Sequence, residues 1–296
     1  MKFSVVIPTY NRPDQLPLCL DALARLNYPA DDFEVILADD GSDHPLDAVV
    51  APFRRRMCLS LVRLPHRGVA GARNGGVAAA RGRFAVFTDD DCRCHPDWLG
   101  VLSRYLDETP NAMIGGKVVN ALADNIYSAV SQSILEAVYA HYNAAPERAT
   151  FFAGANVAMP AAQYLALGGA DESFPVYGGE DRDFCARWLE RGYPMRYAPE
   201  AIVYHAKELS FRSFTRMYYH YGGGAFHYHR RRVERGAGRW LDLTFYRNLA
   251  NLFSPATRSP GVWRKFASAV LLLVWQIANT AGYARAWWAR KGRGRE

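Results

Sequence analysis

A chain of 296 residues, half of them hydrophobic and 22% charged, is long and apolar enough to bury a full core in one large domain, with or without an appendage, and its composition excludes a disordered chain. Five cysteines are odd in number and sparse, which excludes a disulfide framework and fits a reducing compartment. The net charge of +7 is unevenly spread: residues 1–205 carry 19 Lys and Arg against 25 Asp and Glu, and Ala206 onward carries 17 against 4, so an acidic body joins a basic tail suited to an anionic surface.

The N-terminus does not read as a secretory signal, because Pro8, Asn11 and Arg12 close the apolar run after Lys2 too early. From there short apolar strands alternate with helical stretches, the pattern of an α/β domain with a mostly parallel sheet. Residues 3–8 (FSVVIP) predict a buried strand. Leu16, Leu20, Leu23 and Leu26 predict a helix within 14–26. Residues 33–38 (FEVILA) predict a second strand running into Asp39-Asp40-Gly41-Ser42, and 59–64 a third. An Ala-rich stretch, 69–81, predicts the next helix, and 84–88 (FAVFT) a fourth strand that ends at Asp89-Asp90-Asp91. Beyond residue 150 come Gly-rich turns, short strands and a helix over 181–191.

Ligands of such sheets bind beyond the carboxyl ends of the strands. Asp and Gly after a strand also make turns, which accounts for Asp40-Gly41-Ser42 by itself. Turns do not account for three consecutive carboxylates, which repel one another unless a cation sits among them. Alternate residues project to one side, so Asp89 and Asp91 can point together at a divalent ion bridging phosphate oxygens. The neighbouring Cys92-Arg93-Cys94-His95 lacks the second Cys/His pair that a four-ligand zinc site needs.

The segments SVVIPTYNR, VILADDGS, GVAGARNGG, FAVFTDDD, GGEDRDFCARWLERGY and PEAIVYH resemble, in order and spacing, the signatures of glycosyltransferase family 2, of the bacterial surface-polysaccharide type. That resemblance spans about residues 3–205. It implies a GT-A fold, a Rossmann-like sheet flanked by helices, with a nucleotide half at about 1–118 and an acceptor half at about 119–205. It also implies inverting transfer from a nucleotide-diphosphate sugar, UDP-linked by preference, with Mg²⁺ or Mn²⁺.

By the same resemblance Pro8 and Thr9 line the nucleobase pocket, Asp40 accepts from the base, and Arg73, Asp89 and Asp90 belong to the nucleotide site. Asp89, Asp91 and His205 hold the metal, Gly154, Asn156 and Glu180 lie near sugar or acceptor, and Asp181 is the general base. Chemistry agrees on Asp181, since a positioned carboxylate lowers the barrier for a hydroxyl nucleophile. Glu180 and Asp181 could equally cap their helix, and His205 could be structural. The Gln-x-x-Arg-Trp motif of processive members and their flanking membrane spans do not appear, which points to transfer of one or a few sugars.

The tail, 206–296, predicts a basic, aromatic-rich helical extension. Residues 211–231 mix aromatics with Arg and His, yet nucleic acid is not the expected partner of a sugar-transfer domain, and Gly222-Gly223-Gly224 predicts a break in any helix there. Residues 266–284 are an uncharged run flanked by Arg264-Lys265 and Arg285, with Trp263, Trp287 and Trp288 suited to a headgroup belt. A helix lying in an anionic membrane interface is the first expectation, a homodimer helix the second, a full span the third, and core packing remains open. The expected location is cytoplasmic, peripheral to the inner face of the cell membrane, with a glycan or lipid-linked acceptor. Two rival functions are a sugar nucleotidyltransferase, which would need a Gly-rich triphosphate loop absent from IPTYNRPDQ, and a catalytically silent nucleotide-sugar-binding protein.

Overall fold

Strands read from the sequence assemble side by side in the computed structural model, which describes residues 1–174, 178–236 and 261–293. Residues 237–260 of the expected extension lie outside the described residues. Phe3–Thr9 (β1), Phe33–Asp39 (β2) and Phe84–Phe87 (β4) are buried at every position, as strands covered on both faces must be. β1 is paired in parallel with β2 and with β4, and Leu59–Arg63 (β3) extends the sheet beyond β2. Parallel register brings the C-terminal ends of these strands to one edge. Helices Leu16–Leu23 (α1), Asp47–Val50 (α2) and Gly68–Ala78 (α3) connect them.

Four further strands complete an eight-stranded sheet: Cys92–Cys94 (β5), Met113–Asn120 (β6), Val157–Pro160 (β7) and Met195–His205 (β8), in the order β3-β2-β1-β4-β7-β6-β8-β5. β7 runs antiparallel to β4 and β6, and β5 runs antiparallel to β8 with Cys92 opposite His205. The remaining helices are Trp98–Glu108 (α4), Ile126–Tyr142 (α5), Ala161–Ala166 (α6), Glu180–Glu190 (α7), Phe211–Glu234 (α8) and Val262–Arg293 (α9).

The chain divides into two compact units. The first holds 1–119, 145–172 and 184–206; the second holds 120–144, 173–183 and 207–296. The expected acceptor half, 119–205, is therefore not one contiguous body. Its segments with β7 and β8 finish the sheet of the first unit. Its helix α5 instead turns Val130 and Ile134 into a cluster with Phe214, Met217 and Tyr218 of α8 and with Leu271, Leu272, Trp275 and Ala278 of α9.

One expectation about the tail is overturned. α8 runs without a break through Gly222-Gly223-Gly224, starting from a capping box between Ser210 and Ser213. Low helix propensity is offset because the glycines allow backbones to touch. A Cβ at Gly222 would overlap the carbonyl of Asn279 on α9, and one at Gly282 of α9 would overlap the carbonyl of Tyr219 on α8. Core packing thus accounts for one side of α9. The other side, through Trp263, Phe266, Val270, Leu273, Ile277 and Trp288, is exposed.

Candidate active site

The site of the first unit begins at the carboxyl ends of β1, β2 and β4. Asp40 follows β2 and is buried, and its carboxylate accepts from the backbone amides of Arg67 at 2.8 Å and Gly68 at 2.9 Å. These amides open α3, where no earlier turn of helix supplies acceptors. The His66 ring nitrogen lies 2.9 Å from the same carboxylate, and the ring stacks on Tyr10 at 4.3 Å between centroids. An ionised carboxylate has about four acceptor positions, so three internal partners leave capacity for one external donor such as a base N–H. Asp40→Ala is accordingly expected to do two things. It should lower thermal stability by freeing amides at α3, and it should weaken UDP binding by about 10- to 100-fold, the worth of one charge-assisted hydrogen bond. Calorimetry at a temperature where both proteins are folded checks the second effect; equal UDP affinity would leave Asp40 a helix-capping residue only.

Across the same edge, the loop between β4 and β5 carries the acidic triplet. Asp89, Asp91, Cys92 and His205 each offer a ligand atom, all within 4.8 Å of one another. β5–β8 pairing creates this group by setting Asp91 beside His205, whose Nε2 is 2.9 Å from Asp91 Oδ1. Two carboxylates and an imidazole suit a hard divalent cation such as Mg²⁺ or Mn²⁺. The Cys92 thiol is a soft donor, and burial pushes its pKa up. It is nonetheless one of the four residues of this group, which the sequence reading did not place.

Asp90 is held by two neighbours. Its Oδ2 accepts from the Thr9 hydroxyl at 2.8 Å and its Oδ1 from Arg12 Nη1 at 3.0 Å, and burial, only partly offset by Arg12, pushes its carboxyl up to about 6. Asp90 so ties β1 to the triplet, while Asp89 and Asp91 are the two carboxylates of the ligand group. Thr9 shares this tie, and Pro8 is buried within β1. Arg12 is a site residue that the sequence reading missed. Its Nη1 also meets Asp91 Oδ2 at 3.0 Å, so it supplies the cationic counter-charge that three adjacent carboxylates need. The only signal for it is position, just after the end of β1.

Arg73 is buried on α3, not on the surface. Its Nη2 donates to Asp89 Oδ1 at 3.3 Å and its guanidinium lies over the Phe87 ring at 5.9 Å. Gly154 makes this possible, since a Cβ there would overlap the guanidinium. Gly154 therefore seats Arg73. Asn156 has a packing role as well. It is fully buried, accepting from Trp98 Nε1 at 2.9 Å and donating to the Lys117 and Ala201 carbonyls at 2.9 and 2.8 Å. A residue so occupied ties α4, β6 and β8 together and has no surface for a ligand.

Glu180 and Asp181 open α7 in the second unit. Gly178 and Gly179 precede them with φ of +106° and +99°, a conformation that favours glycine. Buried Glu180 closes this turn by accepting from the Gly178 amide at 2.6 Å. Asp181 is half-buried in the first turn of α7.

A strand-end edge bearing a carboxylate beneath a helix N-terminus, beside two carboxylates and an imidazole, defines an α/β protein with a group able to hold a divalent ion. The family model for Glycosyl transferase family 2 matches residues 4–159, and that for Glycosyl transferase family group 2 matches 85–289. Validoxylamine A glucosyltransferase of Streptomyces hygroscopicus subsp. jinggangensis is 30% identical over 226 residues, 67% of this chain and 54% of that protein. Pre-mycofactocin glycosyltransferase of Mycobacterium tuberculosis is 28% identical over 75% of this chain and 46% of its own length. The chain spans about half the length of the curated relatives it matches. Among solved structures, the mannosyltransferase PcManGT of Pyrobaculum calidifontis in complex with GDP-Man and Mn²⁺ superposes with a TM-score of 0.67 at 17% identity, covering 97% of this chain and 87% of that one. Staphylococcus aureus TarS in complex with UDP-GlcNAc gives 0.56 at 18% identity, covering 99% and 92%. The chain belongs to glycosyltransferase family 2, and its fold is of the GT-A type.

Proposed function

We propose that this protein moves a sugar from a nucleotide-diphosphate donor, UDP-linked by preference, to a hydroxyl of a glycan or lipid-linked acceptor, with inversion and without processive synthesis. The observation that carries the reading is the convergence of Asp89, Asp91 and His205 on the edge where Asp40 caps α3. Asp40 would orient the base and Arg73 would hold Asp89 toward the nucleotide. Bound Mg²⁺ or Mn²⁺ would neutralise the leaving diphosphate. Asp181 would take the acceptor proton as the oxygen bonds to the anomeric carbon and the bond to the diphosphate breaks on the opposite face.

The test is a panel of UDP- and GDP-sugars, scored for release of nucleoside diphosphate with and without Mn²⁺ and with added hydroxyl acceptors. Acceptor-stimulated, ion-dependent release supports the proposal. Donor binding with no turnover would make the chain a silent nucleotide-sugar-binding protein. Pyrophosphate formation from a nucleoside triphosphate and a sugar phosphate would make it a nucleotidyltransferase.

The proposal places the protein at the cytoplasmic face of an anionic membrane, with α9 lying in the interface. All five cysteines are free thiols, which suits that compartment. By length and composition α9 is the one helix among the described residues that could cross a membrane. One of its sides is committed to α5 and α8, so the side available to lipid is the stripe through Trp263 (83% exposed), Leu273 (63%), Ile277 (69%) and Trp288 (71%). Exposed Lys265, Arg285, Arg290 and Lys291 flank that stripe and match an anionic headgroup layer at roughly 1 kcal/mol each.

Removing α9 would expose the shared core, so surface changes are the cleaner probe. Leu273→Gln with Ile277→Gln is expected to leave the fold intact and cut partitioning onto phosphatidylserine vesicles by on the order of 100-fold. High salt should weaken the parent further. Vesicle sedimentation decides it. A parent that stays in the supernatant rules the membrane reading out, and a parent dimer dissolved by the same substitutions assigns the stripe to a second copy.

A further inference from the structure

We propose that Gly224 of α8, backed by the contact of Gly222 with α9, positions the catalytic base, making α8 and α9 part of the catalytic apparatus and not merely an attachment device. This rests on the reading of Asp181 as general base. All the residues involved lie in the second unit.

The three glycines do different things. Gly222 meets α9, as described. Gly224 meets the turn that carries the base: a Cβ on it would overlap the Gly178 carbonyl oxygen. In return, a Cβ on Gly179 would come within 2.7 Å of the Gly224 carbonyl oxygen, and one on Gly178 would overlap the Tyr221 ring. Contact is therefore backbone against backbone on one side and backbone against an aromatic ring on the other. Gly223 lies beside α9 but has room for a methyl group: a Cβ there would have as its nearest neighbour the Gly282 carbonyl oxygen at 3.9 Å, an ordinary contact.

Two left-handed glycines form the 178–179 turn, and Glu180 closes it by accepting from the Gly178 amide. Asp181 follows immediately. What restrains the turn from outside is α8, and what restrains α8 on its other side is α9. The chain of contact runs from the Asn279 carbonyl to Gly222, along α8 to Gly224, to Gly178-Gly179, and so to the first turn of α7. A base must be held to within a fraction of an ångström, since a displacement of about 1 Å can cost about 100-fold in rate. A methyl group at Gly224 cannot be absorbed by a flexible side chain, because the atoms it meets are backbone. Either the turn or the helix must move.

Gly224→Ala is expected to lower kcat by about 10- to 100-fold while leaving the donor dissociation constant at the parent value. Gly223→Ala makes the same chemical change one residue away and is expected to behave as the parent. Tyr221→Leu loosens the turn from its other side without a clash. It is expected to lower kcat in the same way, which keeps the test open if Gly224→Ala does not fold.

The decisive readout is coupling. Residues acting through one group are not additive, so Gly224→Ala or Tyr221→Leu combined with Asp181→Asn should be no slower than Asp181→Asn alone. Multiplying effects would show that the triplet acts elsewhere and overturn the proposal. Parent-like kcat in both single variants, with Asp181→Asn inactive, overturns it too and leaves the base assignment standing. Parent-like transfer by Asp181→Asn removes the base itself and both readings with it.

Discussion

Asp181→Asn is expected to bind donor and divalent ion as the parent does and to transfer sugar about 10²–10⁴-fold more slowly, the usual contribution of a general base. Asn has the shape of Asp and can still sit at a helix start, so the substitution removes basicity and little else. Glu180 closes the turn into α7 and is untouched by the substitution, so loss of structure is not the expected outcome. Single-turnover transfer measured beside donor calorimetry separates chemistry from binding. Transfer at the parent rate would return Asp181 to a helix-start carboxylate without a part in the chemistry.

The second large effect is expected at the acidic edge. Asp91→Ala should lower Mn²⁺-dependent UDP affinity by at least about 100-fold, more than His205→Ala, because losing a carboxylate beside a diphosphate removes charge as well as a ligand. Asp91 also accepts from Arg12 and lies against His205. Its removal therefore unsettles both neighbours, whereas His205→Ala takes away one ligand. Titration of UDP with and without Mn²⁺ measures both variants. Binding by the parent that does not depend on the ion would remove the metal role from Asp91 and His205 alike.

Much of the first unit is legible in the sequence because strands buried on both faces read as near-continuous apolar runs, here interrupted by Ser4, Glu34 and Thr88. Residues 3–8, 33–38 and 84–88 do so, and observed bounds differ by a residue at most. Asp89 and Asp91, and not Asp90, do share the ligand group, but a turn closed by the Cys92 amide on the Asp89 carbonyl brings them together, not the alternation of an extended chain. Legibility fails where a residue's environment comes from distant chain. Asn156 looks the same in sequence whether its amide faces a ligand or is enclosed by Trp98, Lys117 and Ala201. Gly154 reads as a loop glycine until Arg73 is seen in the space it leaves. Arg12 acquires its role only when the loop after β1 meets the loop after β4. The triplet in α8 misleads for a related reason: propensity describes a helix alone, and Gly222 and Gly224 are chosen for what presses against them.

β5 and β8 close one end of the strand order, and their pairing alone makes Asp91 and His205 neighbours. Contacts between segments so distant in the chain are costly to close and form late in folding. An ion held there is therefore a seal on the finished sheet, since it binds the native arrangement and has no comparable site in the unfolded chain. Its contribution follows mass action, about 2.7 kcal/mol when free ion is 100-fold above its dissociation constant. Depletion of the ion would then be felt first as fraying: faster amide exchange along β8 and earlier protease entry at that edge, before any loss at β1 or β2.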